Sequence, residues 1–171
     1  MRSLLLIPAL LLAASAAHAQ AGTSRDPAGK AAAGKPSAQA ANPASDPNWA
    51  PVPPALPPGA EIAVLQGDPH NDGMYTLRLK LPNGYTIPPH FHPTDEMVTV
   101  MSGNLQVGMG DRVDVKNAST LKPGGFITAG KGMHHYAVAR GETIVQVHGQ
   151  GPFAITYVNP KDDPRVVANR K

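Results

Sequence analysis

The sequence has no cysteine among its 171 residues. That excludes thiolate chemistry, disulfide stapling and every cysteine-based metal site. A domain built from this chain must rely on its core, on oligomerisation, or on a metal held by histidine and carboxylate. Glutamate is scarce as well, limited to Glu61, Glu96 and Glu142. Charge of either sign is low, with 15 Lys and Arg against 12 Asp and Glu and a formal net charge of +3. The basic residues are scattered, with no basic run and no interleaved aromatics, so neither a nucleic-acid surface nor a membrane surface is expected. Amphipathic helices of normal length are also missing.

What is present falls into four stretches. Residues 1–19 open with Arg2, continue through an apolar run over residues 4–12, and end on Ala17-His18-Ala19. That order is the pattern of a secretory signal peptide cut after Ala19. The apolar run is shorter than the ~20 residues of a membrane-spanning helix and carries Pro8, so no span is expected after cleavage. A periplasmic or secreted location follows. Residues 20–58 are rich in Ala, Pro, Gly, Ser and Lys, a composition that buries too little apolar surface to offset the entropy of ordering. They are expected to form a disordered Ala/Pro-rich linker, stiffer toward residues 51–58, with Trp49 as the one large apolar residue able to dock it.

From residue 59 to residue 160 the texture changes to short β-rich runs separated by Gly, Pro, Asn and Asp. MYTLRLKL at residues 74–81 alternates Tyr75, Leu77, Leu79 and Leu81 with Thr76, Arg78 and Lys80, the period of a half-buried strand. EIAVLQ, EMVTVM, GNLQVGM, GGFITA, HYAVA, ETIVQVH and FAITYV complete about eight strands, with a tight hairpin expected at ARGE around Gly141. The class is all-β, a small antiparallel sandwich or barrel with room inside for side chains and one small ligand. Residues 161–171 read as a flexible tail.

The chemistry is concentrated in residues 84–103. His90 and His92 are two apart on an extended segment, so their rings point to the same face. Pro88 and Pro89 hold the approach extended. The turn at Pro93-Thr94-Asp95 can bring Glu96 back beside both rings. Two imidazoles and a carboxylate on one face suit a divalent first-row metal. A second Gly-rich stretch, residues 124–135, ends in the adjacent pair His134 and His135, which on a strand face opposite ways, so only one can join the site.

These residues resemble the cupin family. Its first motif is Gly, five residues, His-any-His, three or four residues, Glu, six residues, Gly, and Gly84, His90, His92, Glu96 and Gly103 match it without a gap. Its second motif fits Gly124, Gly132 and His135, with Gly130 where the family has Pro and Ala139 where it has Asn. That register selects His135 over His134. The resemblance implies a single jelly-roll β-barrel of RmlC-like type. It implies one divalent ion (Mn, Fe, Ni or Zn) held by His90, His92, Glu96 and His135, a small-molecule ligand or substrate, and a homodimer formed through edge strands.

Four residues are candidates for the remainder of the site. Gln146 and His148 share one strand face with Ile144 and would line the cavity if that face points inward. Tyr136 and Tyr157, like His134, could serve as acid or base groups. His70 in GDPHNDG is read as a surface-loop histidine. Met97, Met101, Met109 and Met133 are read as core filling, having no ligand spacing for copper. The functional expectation is an exported metal-dependent enzyme on a small organic substrate, of oxygenase, isomerase or lyase type. The alternative is a non-catalytic module that binds or senses a metal or small molecule. An inward His148, Gln146 or Tyr157 would favour the first, and an apolar cavity the second.

Overall fold

The computed structural model describes residues 46–168. The expected signal peptide, and the part of the expected linker up to residue 45, lie outside those residues. Nine strands form one antiparallel sheet: β1 (Ala50–Pro51), β2 (Glu61–Gln66), β3 (Gly73–Leu81), β4 (Thr86–Phe91), β5 (Glu96–Met109), β6 (Ser119–Leu121), β7 (Phe126–Ala129), β8 (His135–Gly151) and β9 (Thr156–Tyr157). A single 3₁₀ turn (Pro160–Asp162) and a short helix, α1 (Pro164–Ala168), follow. No helix among the described residues is long and apolar enough to cross a membrane.

The sheet runs β1-β2-β3-β8-β4-β9, and β5 pairs with β6, β7 and β8. It curls into a barrel because two long strands each serve two neighbourhoods. One half of β8 pairs with β4 and the other with β3, while β5 follows it throughout, from Glu96↔Gly149 to Met109↔His135. The period-two reading of β3 holds. Tyr75, Leu77, Leu79 and Leu81 are buried and join Val98, Val100, Val145 and Val147 in the core, while Thr76, Arg78 and Lys80 face out.

The hairpin expected at Arg140-Gly141-Glu142 does not form. β8 runs on through Gly141, because its two halves both find partners on β5: Leu105↔Ala139 and Asn104↔Arg140 on one side, Ser102↔Ile144 and Val100↔Val145 on the other. Extra residues on both strands produce a bulged corner instead of a reversal. Gly103 has φ +74°, and a Cβ there would collide with the Glu142 carbonyl, so the corner requires glycine. Thr143, fully buried, fills the gap: its Oγ1 accepts from the Asn104 N–H at 3.3 Å and lies 3.0 Å from the Asn104 carbonyl.

Four other expectations change. The expected linker does not extend over residues 46–58, which belong to the fold. β1 pairs with β2, Leu56 is buried in the core, and Tyr85 and Tyr157 donate their hydroxyls to the carbonyls of Pro57 and Ala55. Trp49 carries the Lys80 ammonium 4.5 Å above its ring. A Pro-rich strap needs few hydrogen-bond partners of its own, so one leucine and two tyrosine anchors suffice to hold it. The expected tail is likewise fastened as far as Arg165, which pairs with Asp163 and donates to the Ile155 carbonyl at 3.1 Å. The strand expected over FAITYV shrinks to Thr156–Tyr157, because the backbone before it is engaged elsewhere. Phe153 N–H goes to Pro69, and the Ala154 carbonyl to His92. Finally, Met101, Met109 and Met133 are exposed rather than core-filling.

Candidate metal centre

β4 and β5 bring the first-motif residues together. Pro88 and Pro89 lack N–H groups and break the β4–β8 register between Ile87 and His90. Beyond that irregularity His90 pairs directly with His135 of β8 and with Tyr157 of β9. His92 follows the strand, and Glu96 opens β5 opposite Gly149. The result is a cluster in which His90, His92, Glu96 and His135 each offer a ligand atom within 4.8 Å of the others. All three histidines are buried.

The hydrogen bonds fix which nitrogen faces the centre. His90 Nδ1 lies 2.7 Å from the Pro88 carbonyl, His92 Nδ1 2.7 Å from the Ala154 carbonyl, and His135 Nδ1 2.9 Å from the Met133 carbonyl. A carbonyl oxygen only accepts, so each Nδ1 carries the proton and each Nε2 presents a lone pair. The Nε2 atoms of His92 and His135 are buried with no hydrogen-bond partner. They stand 3.6 and 3.5 Å from the two oxygens of Glu96. Two ligands on one ion at about 2.1 Å can be no more than about 4.2 Å apart, so these spacings fit a shared cation. Orphaned buried nitrogens aimed at a carboxylate are costly unless something sits between them. The donor set is therefore one that could hold a metal ion.

Electrostatics point the same way. For Glu96, burial would raise the pKa, but His135 and His92 more than offset it and hold the carboxyl well below its usual range. For His92, burial would lower the pKa, yet the Glu96 carboxylate and the Ala154 carbonyl raise it overall. His90 has its pKa lowered to about 3 by burial and by the neighbouring His135 and His92. The pocket thus draws positive charge to the space between Glu96 and its neighbours while keeping His90 neutral.

His134 takes no part. It lies at the surface, with Nδ1 2.6 Å from Asp111 Oδ1 and its ring stacked on Phe91. Gln146 and His148 face outward, away from the cavity. Arg78 Nε donates to Gln146 Oε1 at 3.1 Å, Gln146 Nε2 lies 3.2 Å from His148 Nε2, and His148 Nδ1 lies 3.0 Å from Thr76 Oγ1. Their neighbours Val145 and Val147 take the inward side, because burying two valines outweighs any benefit of polar company around the histidines. Tyr136 is also outside the cavity, buried against Gly108 with its hydroxyl donated to the Asp114 carbonyl at 2.7 Å. Tyr157 neighbours His90, at 6.1 Å between rings, but donates its hydroxyl to Ala55 of the strap at 2.8 Å.

The cluster opens onto a cavity of about 360 Å³ lined largely by aliphatic side chains of β3, β5 and β8. Three of its lining residues escaped sequence reasoning. Leu56 of the strap was hidden in a disorder-like composition. Phe153, whose ring is 5.3 Å from that of His92, lies between β8 and β9. His70 lines the cavity from its exposed loop. No local pattern marks any of the three, since each arrives through a long-range contact.

Among solved structures the chain resembles a Methylibium petroleiphilum protein provisionally assigned as an acetylacetone dioxygenase. That match has 19% identity over 68% of this chain and 78% of that one, at a TM-score of 0.53. It also resembles KdgF from Halomonas sp., at 20% identity over 61% of this chain and 86% of the other, with a TM-score of 0.48. A third is an RmlC-like cupin from Shewanella frigidimarina, at 18% identity over 54% and 76%, with a TM-score of 0.46. At such identities the first likeness speaks for the fold alone. No curated protein matches the sequence. The model of a family described as a domain of unknown function (DUF4437) matches residues 31–156, and with the strand order and the histidine–glutamate cluster already in place, the chain belongs to that cupin-like family.

Proposed function

We propose that this protein is an exported metalloprotein that holds one divalent ion (Mn, Fe, Ni or Zn) through His90, His92, Glu96 and His135. In this reading it is a metal-dependent enzyme acting on a small organic molecule. The observation that carries the metal is the tautomer pattern: three Nδ1–H groups tied to backbone carbonyls, with two Nε2 atoms left unpartnered against an ionised carboxylate. When bound, the ion would supply Lewis-acid chemistry, and with iron or manganese also redox chemistry. The chain's own part is to keep His90 neutral, to anchor the three imidazoles through Pro88, Ala154 and Met133, and to exclude water with an apolar wall.

A second reading has its own support. Among the described residues, the cavity lining has no acid–base side chain beyond the four cluster residues and His70. With His70 on an exposed loop as the one such group outside the cluster, that favours a binding or sensing module in the periplasm, since an enzyme needing proton transfer would place a buried acid or base beside the cluster. Oxygenase-type chemistry needs such a group least, whereas isomerase and lyase chemistry needs it most. The homodimer belongs to this proposal too, and a monomer by light scattering at micromolar concentration would remove it.

The test is elemental analysis of protein purified from its native compartment, as wild type and as Glu96→Gln. One ion per chain in the wild type, lost or weakened in the variant, is the expected result. A folded wild type without metal would leave a metal-free binding barrel.

A further inference from the structure

Polar side chains are few in the cavity lining. Beyond the four cluster residues and His70, every lining side chain among the described residues is Leu, Ile, Val, Ala, Pro or Phe. No Lys, Arg, Asp, Ser, Thr, Asn, Gln or Tyr side chain of the described residues reaches it. The aliphatic wall comes from β3, β5 and β8 (Leu77, Leu79, Val98, Val145 and Val147 among them), and the strap adds Leu56. An oxygen or nitrogen on a bound molecule lying against the aliphatic wall, away from the cluster and His70, would therefore find no side-chain partner.

The charge of the cluster sets what the other end accepts. Glu96 contributes one negative charge, and the three histidines contribute none when their Nε2 atoms face a cation. With a divalent ion the centre carries +1, which one anionic oxygen group neutralises. A second anionic group against the aliphatic wall would meet no cation.

Resting on the metal reading above, we infer that the molecule this site takes has an apolar, largely aliphatic body and a single anionic oxygen-donor head. Diacids, phosphorylated metabolites and polyols are excluded by the wall. The volume, equal to about a dozen waters of liquid, accommodates a body well beyond two carbons.

The experiment uses the full chain loaded with cobalt(II), whose visible absorption reports ligands entering the metal's shell, titrated with acetate, octanoate and octanedioate. Each buried methylene strengthens binding by about fourfold, so with six more carbons octanoate is expected to bind on the order of a thousandfold tighter than acetate. Octanedioate, the same chain with a second carboxylate, is expected to bind at least about tenfold more weakly than octanoate. Octanoate no tighter than acetate, or octanedioate equal to octanoate, overturns the inference. The cobalt content of the same sample is measured independently. If no cobalt is held, the metal reading fails by itself, and calorimetry of the metal-free chain with 1-octanol and 1,8-octanediol then decides. Octanol bound in preference to the diol keeps the apolar body and removes the anionic head. Binding of neither, or of both equally, overturns the inference entirely.

Discussion

Strand β8 carries two histidines with opposite fates. His135 and His148 both stand in register with residues of two neighbouring strands, and both have Nδ1 engaged. The difference is at Nε2. On His148 it meets Gln146, completing a chain from Arg78 to Thr76 on the outer face. On His135 it is buried and unpartnered, 3.5 Å from Glu96. A histidine whose nitrogens are both matched is structural, whereas one held by its Nδ1 with a bare Nε2 is prepared for a cation. Polarity alone would not separate the two, because the satisfied histidine sits among more polar groups than the unsatisfied one.

That contrast can be broken first at the metal. His90→Ala or His135→Ala should abolish stoichiometric metal, while His148→Ala and His134→Ala should retain it, by elemental analysis of purified protein. Equal loss in both groups would erase the distinction. The next effect is on stability. A ligand bound only to the native state at a hundred times its Kd stabilises it by about 2.7 kcal/mol. Stripping the metal with a chelator should therefore lower the wild-type Tm on the order of 10 °C. The same treatment should leave Glu96→Gln nearly unmoved in a thermal melt. A smaller effect is expected at the corner between the two histidines. Thr143→Val removes the hydroxyl that satisfies Asn104 and should cost about 1–3 kcal/mol in denaturant unfolding, with metal content preserved. Smallest is the outer chain itself. Gln146→Ala should shift stability by about 1 kcal/mol or less, since its partners are half-exposed and can turn to water. A larger loss, or any change in metal content, would mean that the outer face supports the inner one.

Much of this was legible in residue order. β3 was readable because leucine and tyrosine alternate with polar residues over its whole length. The spacing of His90, His92 and Glu96 marked a one-faced donor set, and the cupin register singled out His135 from His134. The strap was not readable, because Leu56 is a lone apolar residue among prolines and its burial depends on Tyr85 and Tyr157 from distant strands. Nor was the corner, since Gly141 suits a hairpin as well as a bulge, and only the pairing with β5 chose between them. The faces of β8 were ambiguous for a different reason. A metal site invites polar neighbours, whereas a core invites valines, and the two rules assign Gln146 and Val147 to opposite sides.

The sequence by itself determined the donor types, their local spacing and the all-β class, because period, proline placement and the absence of cysteine act over a few residues. Tertiary structure alone decided that Ala154 would anchor His92 from 62 residues away, that Glu96 would stand between His92 and His135, and that the cavity beyond them would be almost wholly apolar. Those outcomes depend on which strands meet when the sheet curls, and closure is settled by the sum of packing and hydrogen bonding over the whole barrel rather than by any one segment.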